Sequence, residues 1–304
     1  MHLMNYRISM MKSFFKEIYK WATLLLHSLV SLLSEMIFSS RASAQDVKSL
    51  SKKSKVDSCI ILGNGPSLKD VLSNYQDCLK EYETVAVNIF CSSEAFEVIM
   101  PKYYVLTDPG FFDDKAKDER LLDIQNKAQQ GFSRVSWDMV LFLPSINRRS
   151  SLVKRINNRH IRICFYNLTP IDGFLSLQHW LFKRNLGMPV AMNVLCASIF
   201  LMNNIGYKRI YLLGADHSWL ESFYINENNE LILGDKHFYG SQNVHANETL
   251  SAWLHYLSVG FRSHERLAEY AHYLGHEVIN LTADSYIDAY PRKDISEIVQ
   301  NKIN

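Results

Sequence analysis

From about Val56 onward the chain alternates short apolar runs with polar or glycine-rich breaks. Cys59-Ile60-Ile61-Leu62 stops at Gly63-Asn64-Gly65-Pro66-Ser67, and residues 84–87 stop at Asn88. Residues 103–107 run into Asp108-Pro109-Gly110, residues 139–143 into Pro144, and residues 161–165 into Tyr166-Asn167. Residues 209–213 end at Gly214-Ala215-Asp216, and residues 277–281 form one more such run. Runs this short and this continuously apolar predict strands buried on both faces. Their alternation with helical stretches predicts an α/β fold, a single Rossmann-like domain with a mostly parallel sheet and helices on both faces. Residues 190–204 are too apolar for a surface helix and predict a buried one, with Asn193 near its start and Gly206 past its end. Residues 249–273 predict another helix, with Trp253, Leu254, Leu257, Phe261 and Leu267 as its core face.

Before the domain, residues 1–40 carry a different period. Lys16, Lys20, Thr23, His27, Ser31, Ser34 and Glu35 form a polar stripe, and Trp21, Leu25, Leu26, Leu29, Leu32, Leu33, Met36 and Ile37 cover the rest. The pattern predicts an amphipathic helix with a basic start, suited to a membrane interface facing anionic lipid. A helix docked on the domain or on a second subunit, as in a homo-oligomer, shares that pattern. A cleaved signal peptide ending near Ala42-Ser43-Ala44 is the third alternative. Lys20, His27 and Glu35 interrupt the stretch and count against a membrane span. Residues 41–55 are rich in Ser and Lys and predict a linker, so the domain is expected to occupy residues 56–304.

Composition narrows the function classes. A net charge of +2 gives no basic footprint, which argues against nucleic acid as a partner. With 47% hydrophobic and 12% aromatic residues the chain can bury enough apolar surface to offset ordering entropy. Its five cysteines are odd in number and scattered, which suits buried small hydrophobes in a reducing compartment rather than a disulfide framework.

Ligands of such sheets bind beyond the carboxyl ends of the strands. Asn64, Asn88, Asp108 and Asp216 all fall there. The turn at Gly63, Asn64, Gly65, Pro66 and Ser67 opens a helix whose N-terminus is expected to attract a phosphate. It lacks the third glycine of the dinucleotide fingerprint and the Gly-Lys-Ser/Thr of a P-loop. Asn193 is expected either to cap its helix or to contact ligand. His237 is the natural general base, because imidazole titrates near neutrality, at about pH 6.5. His217 and His245 are its rivals. No His-Glu-x-x-His or Asp-x-Asp pair is present, so no metal site is expected.

Together, Ile61-Leu62-Gly63-Asn64-Gly65-Pro66-Ser67-Leu68, Val87-Asn88, Asp108-Pro109 and the stretch from Ile205-Gly206-Tyr207-Lys208 to Gly214-Ala215-Asp216 carry a resemblance. The chain is similar over residues 56–288 to the DUF115 group, which includes the motility-associated (Maf) flagellin glycosyltransferases and the archaeal MptE-like hydroxymethylpterin pyrophosphokinases. It also resembles the bacterial sialyltransferases of glycosyltransferase family 42. That resemblance implies a GT-A-variant-like domain and inverting transfer of a nonulosonic (sialic-acid-like) sugar from a CMP donor to a glycan or lipid-linked acceptor. It further implies no metal or other cofactor and a His base, His237 or His245. By motif, Asn64, Gly65 and Asn88 would contact the donor, with Asp216 and Ser218 beside them and Tyr224 steadying the leaving phosphate. Asp108 and Asn193 stand where family 42 has Asn and a Ser/Thr-Gly turn, which puts the sugar in question. A lipid-linked acceptor would place the protein in the cytoplasm, peripheral on the inner face of the membrane. An Mg/ATP-dependent pyrophosphokinase using Asp108 and Asp216 is the rival implied by the MptE-like branch, and a non-catalytic relative is the other.

Overall fold

The computed structural model describes residues 2–51, 56–238, 240–246 and 248–298. Two helices come first, α1 (His2–Phe38) and α2 (Arg41–Ser49). Alternating strands and helices follow: β1 (Ser58–Leu62), α3 (Leu68–Leu79), β2 (Glu83–Val87), α4 (Ala95–Ile99), β3 (Tyr103–Val105), α5 (Glu119–Ser133), β4 (Met139–Pro144), α6 (Ser151–Arg155) and β5 (Ile161–Tyr166). Then come α7 (Leu175–Phe182), α8 (Val194–Ile205) and β6 (Arg209–Leu213). Next are β7 (Phe223–Ile225), β8 (Leu231–His237) and β9 (Gly240–His245), and the chain returns to the main sheet through α9 (Leu250–Leu274) and β10 (Glu277–Asn280).

Seven strands form the main sheet in the order β10-β6-β1-β2-β3-β4-β5, every neighbouring pair parallel. Alternation along each strand feeds two cores. Cys59 and Ile61 of β1 face the layer under α8, while Ile60 and Leu62 face the layer on the other side with Leu68 and Phe90. Burial on both faces is why these strands read as unbroken apolar runs. Cys59, Cys91, Cys164 and Cys196 are buried thiols, as small hydrophobes. From β1 the chain steps outward to β5, and it then re-enters beside β1 on the other side as β6. The direction of winding reverses between β1 and β6, which opens a crevice at their carboxyl ends.

Three elements differ from expectation. Residues 41–51 are not a linker: α2 is capped by the Ser40 side chain, buries Ser43, Ala44 and Val47, and packs on β5 and α8. Its start is locked to the body, because Asn167 accepts from Ser40 N at 2.8 Å and donates to Ser40 O at 2.9 Å. Residues 223–245, where the sequence predicts no strand, form a three-stranded antiparallel sheet in the order β7-β8-β9, with Asn226 to Asn229 in the turn between β7 and β8. On α9 the buried positions are Gly260, Ser263, His264, Leu267, Tyr270 and Ala271, whereas Leu254 is exposed.

The long helix α1 docks by its polar stripe. Ser28 and Ser31 are buried against the 172–174 loop, with Phe174 N donating to Ser28 Oγ at 3.0 Å and Asp172 N to Ser31 Oγ at 2.8 Å. His27 Nδ1 lies 3.0 Å from Asp172 Oδ2, and buried Glu35 pairs with Arg41 at 2.9 Å. The apolar side faces outward, with Leu25, Leu29 and Leu33 each more than half exposed and Met36 at 74%. Helix packing against a soluble domain normally buries the other face. Residues 10–38 are long and apolar enough to cross a membrane by length and composition.

Candidate functional site

The turns after β1 and β6 are pressed together, and this contact explains their glycines. Gly63 N donates to Leu213 O at 2.7 Å, and Gly65 N donates to Gly214 O at 2.9 Å. A Cβ on Gly63 would strike the Gly214 carbonyl, and one on Gly65 would strike the Asp216 carboxylate. Gly214 adopts φ +66°, a left-handed conformation that glycine reaches without strain.

Asp216 spans this contact. Its carboxylate accepts from Ser67 N at 3.1 Å and from Ser67 Oγ at 2.8 Å. The N-terminus of α3, where a phosphate was expected, therefore meets a carboxylate of the chain itself. Asp216 and Ser67 hold the crevice together.

Around the crevice lies a cavity of about 600 Å³, a size ordinary for a small-molecule site. Of the residues singled out from sequence, Asn64, Gly65, Pro66, Asn88, Asp108, Asn193, Asp216, Ser218 and His237 line it. Asn64 donates from Nδ2 to Val87 O at 3.3 Å, and its Oδ1 is buried with no partner among the described residues. Asn88 takes φ +52°, which Asn tolerates better than most residues, and its Oδ1 is likewise buried and unpartnered among the described residues. Two orphan acceptors in one cavity cost stability unless a ligand or water supplies donors. Asp108 instead turns back to cap its own turn, accepting from Gly110 N at 2.7 Å. Asn193 caps α8, its Oδ1 accepting from Cys196 N at 3.1 Å, and it also lines the cavity.

The small sheet carries His237 to the rim. The Phe238 N–H donates to Asn64 O at 3.1 Å, and His237 Nδ1 approaches the same carbonyl at 3.3 Å. A carbonyl only accepts, so this contact places a proton on Nδ1.

Not every expected residue is there. Gly63 lies behind the turn, and Ser67 is engaged with Asp216. Tyr224 is half exposed on β7 and lines neither this cavity nor its neighbour, which removes the structural support for a phosphate contact. His245 sits on β9 opposite Ile232, and its side chain lies outside the described residues.

Sequence reasoning missed a second chamber of about 480 Å³ that shares Met192, Asn193, His217, Trp219 and Gly234 with the first. Its walls include Phe223, Trp253, Tyr256 and Phe261, with Arg120 and Glu248 at the edge. The Trp253 Nε1–H is buried there without a partner among the described residues. Behind the partition, His217 at 7% exposure meets His264 at 0%. Burial pushes the His264 imidazole down to about 3, and burial together with His264 holds His217 well below the ordinary value. Among the described residues no group of three or more His, Cys, Asp or Glu is placed to hold a metal ion.

No protein-family model matches the chain, and no curated protein matches it. Among solved structures, the chain is similar to a MAf glycosyltransferase from Magnetospirillum magneticum AMB-1, with 12% identity and a TM-score of 0.45. The similarity covers 86% of this chain and 40% of that one, so this chain spans well under half the length of that structure.

Proposed function

We propose that the chain is a glycosyltransferase that moves a nonulosonic sugar from a CMP donor to a glycan or lipid-linked acceptor at a membrane surface. The observation that carries the proposal is the pair of buried, unpartnered amide oxygens, Asn64 Oδ1 and Asn88 Oδ1, in the switch-point cavity. A nucleotide brings the base amino and ribose hydroxyl donors that such oxygens need. The motif resemblance at Gly63 to Leu68, Val87-Asn88 and Ile205 to Asp216 selects CMP among nucleotides.

The aromatic chamber suits the acceptor, since sugar faces pack on aromatic rings and the Trp253 Nε1–H can donate to a hydroxyl. In the reaction His237 Nε2 takes the proton of the acceptor hydroxyl as its oxygen bonds to the anomeric carbon. The bond from that carbon to the phosphate breaks, and CMP leaves with the electron pair. The outward apolar face of α1 supports a peripheral position in the membrane interface, on the cytoplasmic side.

Calorimetry and thermal shift with CMP, CDP, UDP, GDP and ATP, each with and without Mg²⁺, test the proposal. CMP should bind and raise the melting temperature whether or not Mg²⁺ is present. An Mg²⁺-dependent response to ATP with none to CMP would overturn it in favour of a pyrophosphokinase.

A further inference from the structure

We infer that His217 is a fixed hydrogen-bond donor to an oxygen of the bound ligand, its proton held on Nδ1 by a buried chain running Tyr290, His264, His217. Each link follows from the one before. Cys196 N, a backbone donor, points at Asn193 Oδ1 at 3.1 Å, which fixes the amide so that Nδ2 faces His217 Nε2 at 3.2 Å. An amide nitrogen only donates, so His217 Nε2 accepts, and the ring proton must be on Nδ1.

His264 Nε2 lies 3.0 Å from that same His217 nitrogen. Two bare nitrogens at that distance would repel, so His264 carries its proton on Nε2 and donates it. Its Nδ1 is then bare and accepts from the Tyr290 hydroxyl at 3.1 Å. The Cys196 sulfur, 3.6 Å from His264 Nε2, shares the same proton as a weak acceptor. Burial keeps Tyr290 protonated and both imidazoles neutral at ordinary pH, so nothing in the chain reverses its direction.

The consequence lies at the cavity. His217 walls both chambers and stands at φ +54°, with its ring 4.6 Å from that of Trp219. Among the described residues no group pairs with its Nδ1. A neutral N–H at this partition fits an oxygen acceptor of the ligand, a phosphoryl, carboxylate or carbonyl. The same wiring removes His217 from contention as the base, because its only lone pair already receives two donors. The direction of the chain is independent of the transferase proposal, and only the choice of CMP as probe rests on it.

Long-range proton–nitrogen NMR of the full chain labelled with ¹⁵N-histidine tests the inference, with assignment by His217→Asn and His264→Gln. The expected spectrum shows His217 protonated on Nδ1 and His264 on Nε2; His217 protonated on Nε2 would overturn it whatever the ligand. CMP binding by calorimetry supplies the second arm. Asn is at home at positive φ and puts an amide N–H where Nδ1–H was. His217→Asn should therefore bind CMP within about threefold of wild type, while His217→Phe loses at least tenfold. Equal binding by His217→Phe and wild type would overturn the ligand contact. Failure of wild type itself to bind CMP would sink the transferase proposal, and the inference would then be judged by the tautomers alone.

Discussion

Acid should unfold this protein early, and His264 provides a measurable share of the effect. The side chain is fully buried, and its described contacts are His217, Cys196 and Tyr290, none of which is a carboxylate that could stabilise an imidazolium. Burial also pushes the Cys196 thiol up to about 12, so it stays neutral. The folded chain thus takes a proton at His264 only near pH 3, whereas the unfolded chain takes it at about 6.5. Between those values the unfolded state binds more protons, so stability falls as pH falls. From pH 7 to pH 5 the penalty covers about 1.5 pH units below the unfolded value, or about 2 kcal/mol at 1.36 kcal/mol per unit. That is a sizeable fraction of a typical domain stability of about 5–15 kcal/mol.

Urea unfolding followed by tryptophan fluorescence at both pH values measures the loss. His264→Gln keeps an N–H donor toward His217 and cannot titrate, so it isolates the contribution. Wild type should lose about 2 kcal/mol more than His264→Gln over this interval. Parallel losses in the two proteins would refute the claim that His264 folds uncharged and uncompensated.

Three further outcomes are expected. On the proposed reading, in which His237 is only the base, His237→Ala should lower turnover about 10²–10⁴-fold in a CMP-sugar transfer assay while leaving CMP affinity nearly unchanged. Gly65→Ala should destabilise by about 1–3 kcal/mol in thermal or urea unfolding, because its Cβ would collide with the Asp216 carboxylate and part it from Ser67. Replacing Leu25, Leu29 and Leu33 of α1 together by Ser should reduce sedimentation with anionic vesicles at least about a hundredfold, from about 1 kcal/mol or more per side chain. Folding of the body should be unaffected, because all three side chains are exposed.

The main sheet was legible in the sequence because burial on both faces leaves an unmistakable mark: Cys59 to Leu62 and Arg209 to Leu213 have no polar position inside them to mislead. The strand ends followed, and with them most of the cavity wall. The small sheet was not legible, because β8 and β9 pass through Gly234-Asp235-Lys236 and Gly240-Ser241-Gln242-Asn243, where no apolar alternation exists. Helix α2 was hidden by its Ser- and Lys-rich composition, its apolar anchors being only Ala44 and Val47. Periodicity revealed a polar stripe on α1 without saying which side meets the body, and the serines proved to be the docking side because they reach the backbone of the 172–174 loop. The signal for His264 was present: it falls three residues before Leu267 on the apolar face of α9, where a polar side chain implies a buried partner.

The short passage from α1 to α2 bears on the proposed transfer at a membrane surface. Between Phe38 and Arg41 stand only Ser39 and Ser40, and the first accepts no slack: its hydroxyl is bonded to Thr169 and Leu186 O while Asn167 grips the second. An anchor joined by a long coil lets a catalytic head sweep a volume above the bilayer. Here α1 and the body are joined without slack, so on the proposed reading, with α1 in a lipid interface, the mouth of the cavity would keep a set height and tilt over the lipid. An acceptor of the proposed reaction would then have to present its hydroxyl at that height, and glycans whose growing end stands nearer or farther would be screened by geometry before any contact in the cavity is made.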